Sequence, residues 1–188
     1  MTRQIALAVI GGSGFYEMPG LHDVEQHRIA TPFGPTSDPI RTGTLEGRKV
    51  AFLSRHGTGH RLLPREIPQL ANFWALKHLG ARRVLGVSAV GSLQAAYRPG
   101  DMLVPDQLID RTRHERPETF FGEGVVGHVS LAEPFDAELG AKLADSVAEE
   151  AGGVAQCAAV RTWSSMDRRS ARGRRASSTA RGARAWSG

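Results

Sequence analysis

The chain has 188 residues, a net charge of +5 and one cysteine, Cys157. It is long enough for one domain with a core of its own. A single cysteine rules out an internal disulfide framework, and no apolar run approaches the roughly 20 residues that span a bilayer. The start, Met1-Thr2-Arg3-Gln4, lacks the layout of a signal peptide, so a cytoplasmic protein is expected. The charge is unevenly placed. Residues 161–188 hold eight arginines and one acid, Asp167, and so carry +7; the rest of the chain carries −2.

Ile5-Ala6-Leu7-Ala8-Val9-Ile10 is an unbroken apolar run closed by Gly11-Gly12-Ser13-Gly14. Such a run reads as a strand buried on both faces, as in a parallel sheet. A glycine turn lets backbone N–H groups approach an anion, and Ser13 adds a hydroxyl, so a phosphate-holding turn and a plain tight turn are both open. Tyr16 to Gln26 is polar and reads as irregular. Residues 31–39 are dense in turn formers. Ile40–Leu45 and Lys49–Leu53 form a hairpin about Glu46-Gly47. The second strand runs into Ser54-Arg55-His56-Gly57-Thr58-Gly59-His60.

Pro68–Leu79 has helical periodicity, with Leu70, Phe73, Trp74 and Leu76 on spaced faces and Gly80 closing it. Arg83–Ser92 is a second buried strand running into a small-residue turn. Asp101–Asp110 reads as a strand with an outgoing loop, and 111–127 as a loop. Pro134–Glu150 is an amphipathic helix with Leu139, Leu143 and Val147 on one face and Asp136 at its start. Residues 161–188 hold no Ile, Leu, Val or Phe, and disorder is expected there.

Candidate site residues recur at strand ends: Ser13, Arg55-His56 and Ser88. In open α/β sheets, ligands sit beyond the carboxyl ends of strands. An arginine fork fits a phosphate bidentately, and a histidine and two hydroxyls supply further bonds. Taken singly, each has a bland alternative: a surface ion pair for Arg55, a solvated loop residue for His56 or His60, a turn cap for Ser88. Taken jointly they point to an oxyanion pocket.

Several motifs occur in order: Ile10-Gly11-Gly12-Ser13-Gly14, Thr31-Pro32-Phe33-Gly34, Ser54-Arg55-His56-Gly57, Ala71-Asn72-Phe73-Trp74-Ala75-Leu76-Lys77, Ala89-Val90-Gly91-Ser92, Pro99-Gly100-Asp101, Asp106-Gln107-Leu108-Ile109-Asp110-Arg111-Thr112 and Ala132-Glu133-Pro134-Phe135. Over residues 4–155 the chain resembles the 5′-methylthioadenosine phosphorylase branch of the purine nucleoside phosphorylases. The resemblance implies an α/β fold with a mixed central sheet flanked by helices, and a homotrimer in which phosphate attacks C1′ of a purine nucleoside. It implies phosphate contacts at Ser13, Arg55, His56, Ser88 and Ala89. It implies that His128 reaches a neighbouring subunit's 5′-substituent pocket, and that no metal or organic cofactor is used, inorganic phosphate being a substrate. No catalytic residue is assigned within this chain. Inosine- or guanosine-type substrates remain an alternative to methylthioadenosine.

The family's later motifs, a Gly-Pro followed by Phe-Ser-Thr-Arg-Ala-Glu-Ser and the purine-binding elements, have no counterpart here. Back-translating Ala158–Arg175 and reading from the third base of each codon can spell that missing segment. A frameshift just before Ala158 is therefore expected, with residues 1–157 the N-terminal part of a phosphorylase domain and 158–188 an out-of-frame tail. A protein of another class is the competitor: a non-catalytic fragment binding nucleic acid non-specifically through the basic tail, or a partner that caps an intact trimer. The tail's arginines follow no helical pattern and have few aromatic residues among them, so a nucleic-acid partner is disfavoured.

Overall fold

A computed structural model describes residues 5–12, 18–110, 112, 119–150, 155–156 and 161–164, the last two stretches as backbone only. By contact density the chain divides into two compact units, residues 1–90 with 114–123, and residues 91–113 with 124–188.

The first unit is built on a five-stranded sheet. Its strands are β1 (Leu7–Gly11), β2 (His22–His27), β3 (Ile40–Leu45), β4 (Arg48–Ser54) and β5 (Val84–Gly86), in the spatial order β2-β3-β4-β1-β5. The sheet is mixed. β1 runs parallel to both β4 and β5, while β2-β3-β4 are antiparallel. The expected strand after the N-terminus is thus the second strand from one edge, and its uncharged sequence follows from burial on both faces. Ala8, Ala51 and Leu53 face one side, where helix α1 (Gln69–His78) supplies Ala75 and Leu76. Val9, Val50 and Phe52 face the other, against Met18, Leu21, Leu45, Leu85 and Val87. This alternation is the period-two pattern of a strand, read twice in neighbouring strands.

The hairpin forms as its sequence predicts. Leu45 pairs with Arg48, and both linking residues have positive φ, 48° at Glu46 and 75° at Gly47. That is the primed two-residue turn whose twist suits antiparallel strands. Tyr16–Gln26 was expected to be irregular; its described part instead contains β2, an edge strand exposed at five of six positions and bulged between His22 and Glu25. His-Asp-Val-Glu-Gln-His has no apolar alternation to betray it, because neither face is buried. His27 Nε2 lies 2.7 Å from the Thr42 hydroxyl, one side-chain tie to the sheet.

α1 starts after Pro68 and ends at Leu79, whose N–H bonds the Ala75 carbonyl at 3.0 Å; Gly80 follows with φ 92°. Its buried face is Ala71, Asn72, Ala75 and Leu76, whereas Phe73 is exposed. Ala71 and Ala75 let the helix sit close on the sheet, with Leu76 packed against it and Phe73 turned away. The expected buried strand Arg83–Ser92 is a second correction. Only Val84–Gly86 is strand, and it is an outer edge with Val84 and Gly86 exposed.

The second unit holds two short parallel pairs and a helix. β6 (Met102–Leu103) pairs with β8 (Ala155–Gln156), and β7 (Gln107–Asp110) with β9 (Arg161–Ser164). The single strand expected over Asp101–Asp110 is therefore two, divided at Val104-Pro105-Asp106, where proline withholds a donor. Arg161–Ser164 was expected to be disordered; its backbone is paired with β7 residue for residue. The rest of the expected disordered segment lies outside the described residues. α2 spans Ala137–Glu150, three residues shorter at its start than expected. Asp136 caps it: its Oδ1 accepts the Leu139 N–H at 2.8 Å and its carbonyl the Gly140 N–H at 2.9 Å. Among the described residues, no helix is long and apolar enough to cross a membrane.

Candidate anion site at the strand ends

The parallel core of the sheet brings three chain segments to one end. The Arg55 N–H bonds the Gly11 carbonyl at 3.1 Å, and the Val87 N–H bonds the Ile10 carbonyl at 2.9 Å. Gly12, Arg55 and Val87 thus leave β1, β4 and β5 side by side, at the carboxyl ends where ligands gather in such sheets. The Arg55 guanidinium crosses this end. Its Nη1 donates to the Val87 carbonyl at 2.7 Å, and Nη2 would lie 3.9 Å from a Cβ placed on Gly12. Arg55 is half-buried.

His56 is buried, 7% exposed, and is held from both ring nitrogens. Nδ1 lies 2.9 Å from the Leu62 carbonyl, which can only accept, so Nδ1 carries the hydrogen. Nε2 is then free to accept from Arg55 Nε, at 3.1 Å. The tautomer is set by the backbone, and the arginine is oriented by the histidine. The His60 ring stacks on His56 with centroids 4.2 Å apart and 13° between planes.

The loop after β4 is fixed by residues that strand-end reasoning missed. Ser37 is fully buried; its hydroxyl donates to the Ser54 carbonyl at 2.9 Å, and its N–H bonds Asn72 Oδ1 at 2.9 Å. Asn72 is itself buried on α1. Asp38 accepts from both the Thr58 N–H (3.1 Å) and the Thr58 hydroxyl (2.7 Å), and Arg61 donates to the Ser37 carbonyl. Gly57 makes the loop possible. With φ 72° it sits in the left-handed region, and a Cβ there would meet Arg61 Nε at 2.8 Å and the Ser37 carbonyl at 3.1 Å. The Gly57-Thr58-Gly59 spacing was the available signal; the partners Ser37 and Asn72 lie too far off in sequence to be read.

Of the expected site residues, Arg55 and His56 stand together in the first unit. Ser88 and Ala89 are exposed in the chain that follows β5 and Val87. Ser13 lies outside the described residues. His128 is exposed on irregular chain of the second unit. Chemically, a half-buried guanidinium, a glycine backbone and a serine hydroxyl on adjoining strand ends suit an oxyanion. No group of three or more His, Cys, Asp or Glu that could hold a metal occurs among the described residues.

Residues 6–179 match the model of the Phosphorylase superfamily. The chain is 52% identical over 153 residues to the S-methyl-5′-thioadenosine phosphorylase of Koribacter versatilis, covering 81% of this chain and 52% of that protein. It is 54% identical over 129 residues to that of Hyperthermus butylicus, covering 69% and 47%. Among solved structures, a methylthioadenosine phosphorylase from an antarctic soil metagenomic library superposes with a TM-score of 0.74 at 48% identity, over 80% of this chain and 52% of the other. The Schistosoma mansoni methylthioadenosine phosphorylase in complex with adenine gives 0.70 at 35% identity, over 79% and 55%. The chain spans about half the length of the relatives it matches.

Proposed function

Because this chain belongs to the phosphorylase superfamily, we propose that its strand-end site binds inorganic phosphate for phosphorolysis of a purine nucleoside, 5′-methylthioadenosine first. The observation that carries this reading is the Arg55–His56 pair, held across the carboxyl ends of β4, β1 and β5 and oriented by the Leu62 and Val87 carbonyls. Arg55, His56, Ser13, Ser88 and the Ala89 backbone are the proposed phosphate contacts. Phosphate anchored there attacks C1′ as the bond from C1′ to the purine breaks. The purine leaves with the bonding pair and takes up a proton, giving adenine and 5-methylthioribose 1-phosphate. Positive charge develops on the sugar in such a transfer, and a fixed dianion beside it both adds to C1′ and lowers that charge's energy.

The same reading makes the working protein a cytoplasmic homotrimer, with His128 serving a neighbouring subunit's pocket and with no metal or organic cofactor. It divides the chain into a phosphorylase part, residues 1–157, and a tail, 158–188, translated out of frame. The relatives named for methylthioadenosine support that substrate over inosine-type nucleosides.

The test is adenine release from methylthioadenosine and phosphate, by the 188-residue chain and by a version whose reading frame is restored before Ala158. Release by the restored protein alone is expected. Release by neither would overturn the reading. Arg55→Ala in the active form is expected to weaken phosphate binding at least tenfold by calorimetry, since a hydrogen bond to a charged group contributes about 1.5–3 kcal/mol. Unchanged affinity would remove Arg55 from the site.

A further inference from the structure

Thr58 and Arg61, in the loop after β4, line a cavity of about 640 Å³ whose other walls include Gln26, Arg28, Asp38 and Arg41. All six residues belong to the first unit. Arg55 and His56 are not part of this lining.

The strand register explains how the arginines come to share one cavity. Gln26 and Arg41 stand opposite each other across β2 and β3, so their side chains lie on one face of the sheet. Ile40, the neighbour of Arg41, packs with α1 on the other face, which turns Arg41 away from the helix. Arg28 follows Gln26 by two positions, just past the end of β2, and reaches the same cavity. Glu25 and His27 take the alternate positions and meet each other at 3.8 Å on the opposite face. Arg61 comes from the loop, where it donates to the Ser37 carbonyl. Asp38 is the acid among these six, and its Oδ2 already accepts the Thr58 N–H at 3.1 Å and the Thr58 hydroxyl at 2.7 Å.

The volume is that of a small-molecule pocket, a class spanning about 300–1,000 Å³. A concave surface with one sign of charge in excess concentrates the opposite ion. A guanidinium fork grips two oxygens of one phosphate. A phosphate monoester has three terminal oxygens and satisfies one fork fully; a diphosphate has five or six and satisfies two. The Gln26 amide adds a donor and an acceptor beside the charges.

We propose that Arg28, Arg41 and Arg61 form a second anion site, distinct from the strand-end cluster, for a small molecule bearing a diphosphate group. This inference stands on the cavity and its charges and is independent of the phosphorolysis reading.

Inorganic pyrophosphate and ADP are the probes, titrated without divalent metal into the full 188-residue chain by calorimetry, with amide shifts followed by NMR. Pyrophosphate is expected to bind and to move the amides of Arg28, Arg41 and Thr58. Arg28→Glu, at an exposed position, is expected to weaken pyrophosphate binding at least tenfold while inorganic phosphate affinity stays within twofold. Arg181→Glu makes the same change of net charge in the basic tail and is expected to weaken pyrophosphate binding less than twofold. Arg55→Ala is expected to leave it within twofold. Equal losses from Arg28→Glu and Arg181→Glu would mean general attraction to a basic chain, and would overturn the proposal. So would binding abolished by Arg55→Ala, amide shifts confined to the strand-end residues, or no binding of either probe. ADP binding more tightly than pyrophosphate would assign the site to a nucleoside diphosphate; ADP binding no more tightly would assign it to the diphosphate group alone. Pyrophosphate bound as expected, with phosphorolysis absent even after the reading frame is restored, would count against the functional reading only.

Discussion

At the residue scale, the site depends on a loop whose shape glycine permits and buried polar groups enforce. Gly57 lies at φ 72° with Arg61 and the Ser37 carbonyl crowding the place of a Cβ, whereas Gly59, at φ 77°, has nothing within 4 Å. Both positions carry the left-handed penalty for an L-residue, about 1–2 kcal/mol, but only the first adds a collision with backbone. Gly57→Ala is therefore expected to lower the melting temperature by about 4–8 °C and Gly59→Ala by clearly less, measured by calorimetry on the same preparation. Equal losses would show that the Ser37 carbonyl and Arg61 yield without cost. Asn72 illustrates the same dependence from a distance. A buried amide on α1 accepts the Ser37 N–H, and Ser37 in turn ties the Ser54 carbonyl just before Arg55. The orientation of Arg55 is thus linked to a helix residue whose sequence context, among alanines and aromatics, reads only as packing.

At the element scale, local signals sufficed wherever an element's own sequence settles its ends. The β3–β4 hairpin, α1 and α2 follow from a turn dipeptide, a proline-to-glycine interval and an apolar i, i+4, i+8 stripe. The α2 start moved from Pro134 to Ala137 because the aspartate caps the helix from outside it. Asp136→Ala is expected to cost about 1 kcal/mol and to fray the first turn, read as loss of helical ellipticity and faster exchange of the Leu139 amide. An unchanged Leu139 amide would assign the helix start to other contacts. β2 and β5 escaped the local signals for opposite reasons. β2 is a strand only because β3 offers it an edge, so its polar sequence carries no strand pattern. β5 has the apolar composition of a buried strand but occupies an outer edge, so its sequence suits an environment that the described residues do not supply.

At the scale of the whole molecule, the basic charge and the candidate site lie in different parts of the sequence. Residues 165–188 contain seven arginines against one acid, while the strand-end cluster uses Arg55 and His56. A chain ending at Ser164, which keeps β9, is expected to retain phosphate affinity within twofold and to lose most of its binding to non-specific DNA at low salt. Calorimetry with phosphate and filter binding with DNA check the two halves of that statement. Phosphate affinity lost with the tail would shift the anion site to the arginines there and contradict the strand-end assignment.

The sequence by itself determined the local pieces of this protein: the buried first strand, the hairpin, the two helices, the concentration of positive charge at one end of the sequence, and a run of motifs specific enough to identify its superfamily. These are written in short-range features, a period of two or of 3.6, a glycine at a positive φ, a cap, a proline. The tertiary structure alone decided that Gly12, Arg55 and Val87 converge, that Ser37 and Asn72 hold the loop between them, and that β5 has no strand partner on its outer side among the described residues. The reason is physical: those relations join residues dozens of positions apart, through hydrogen bonds to backbone carbonyls that every residue possesses. No side-chain pattern along the chain records which carbonyl will be met.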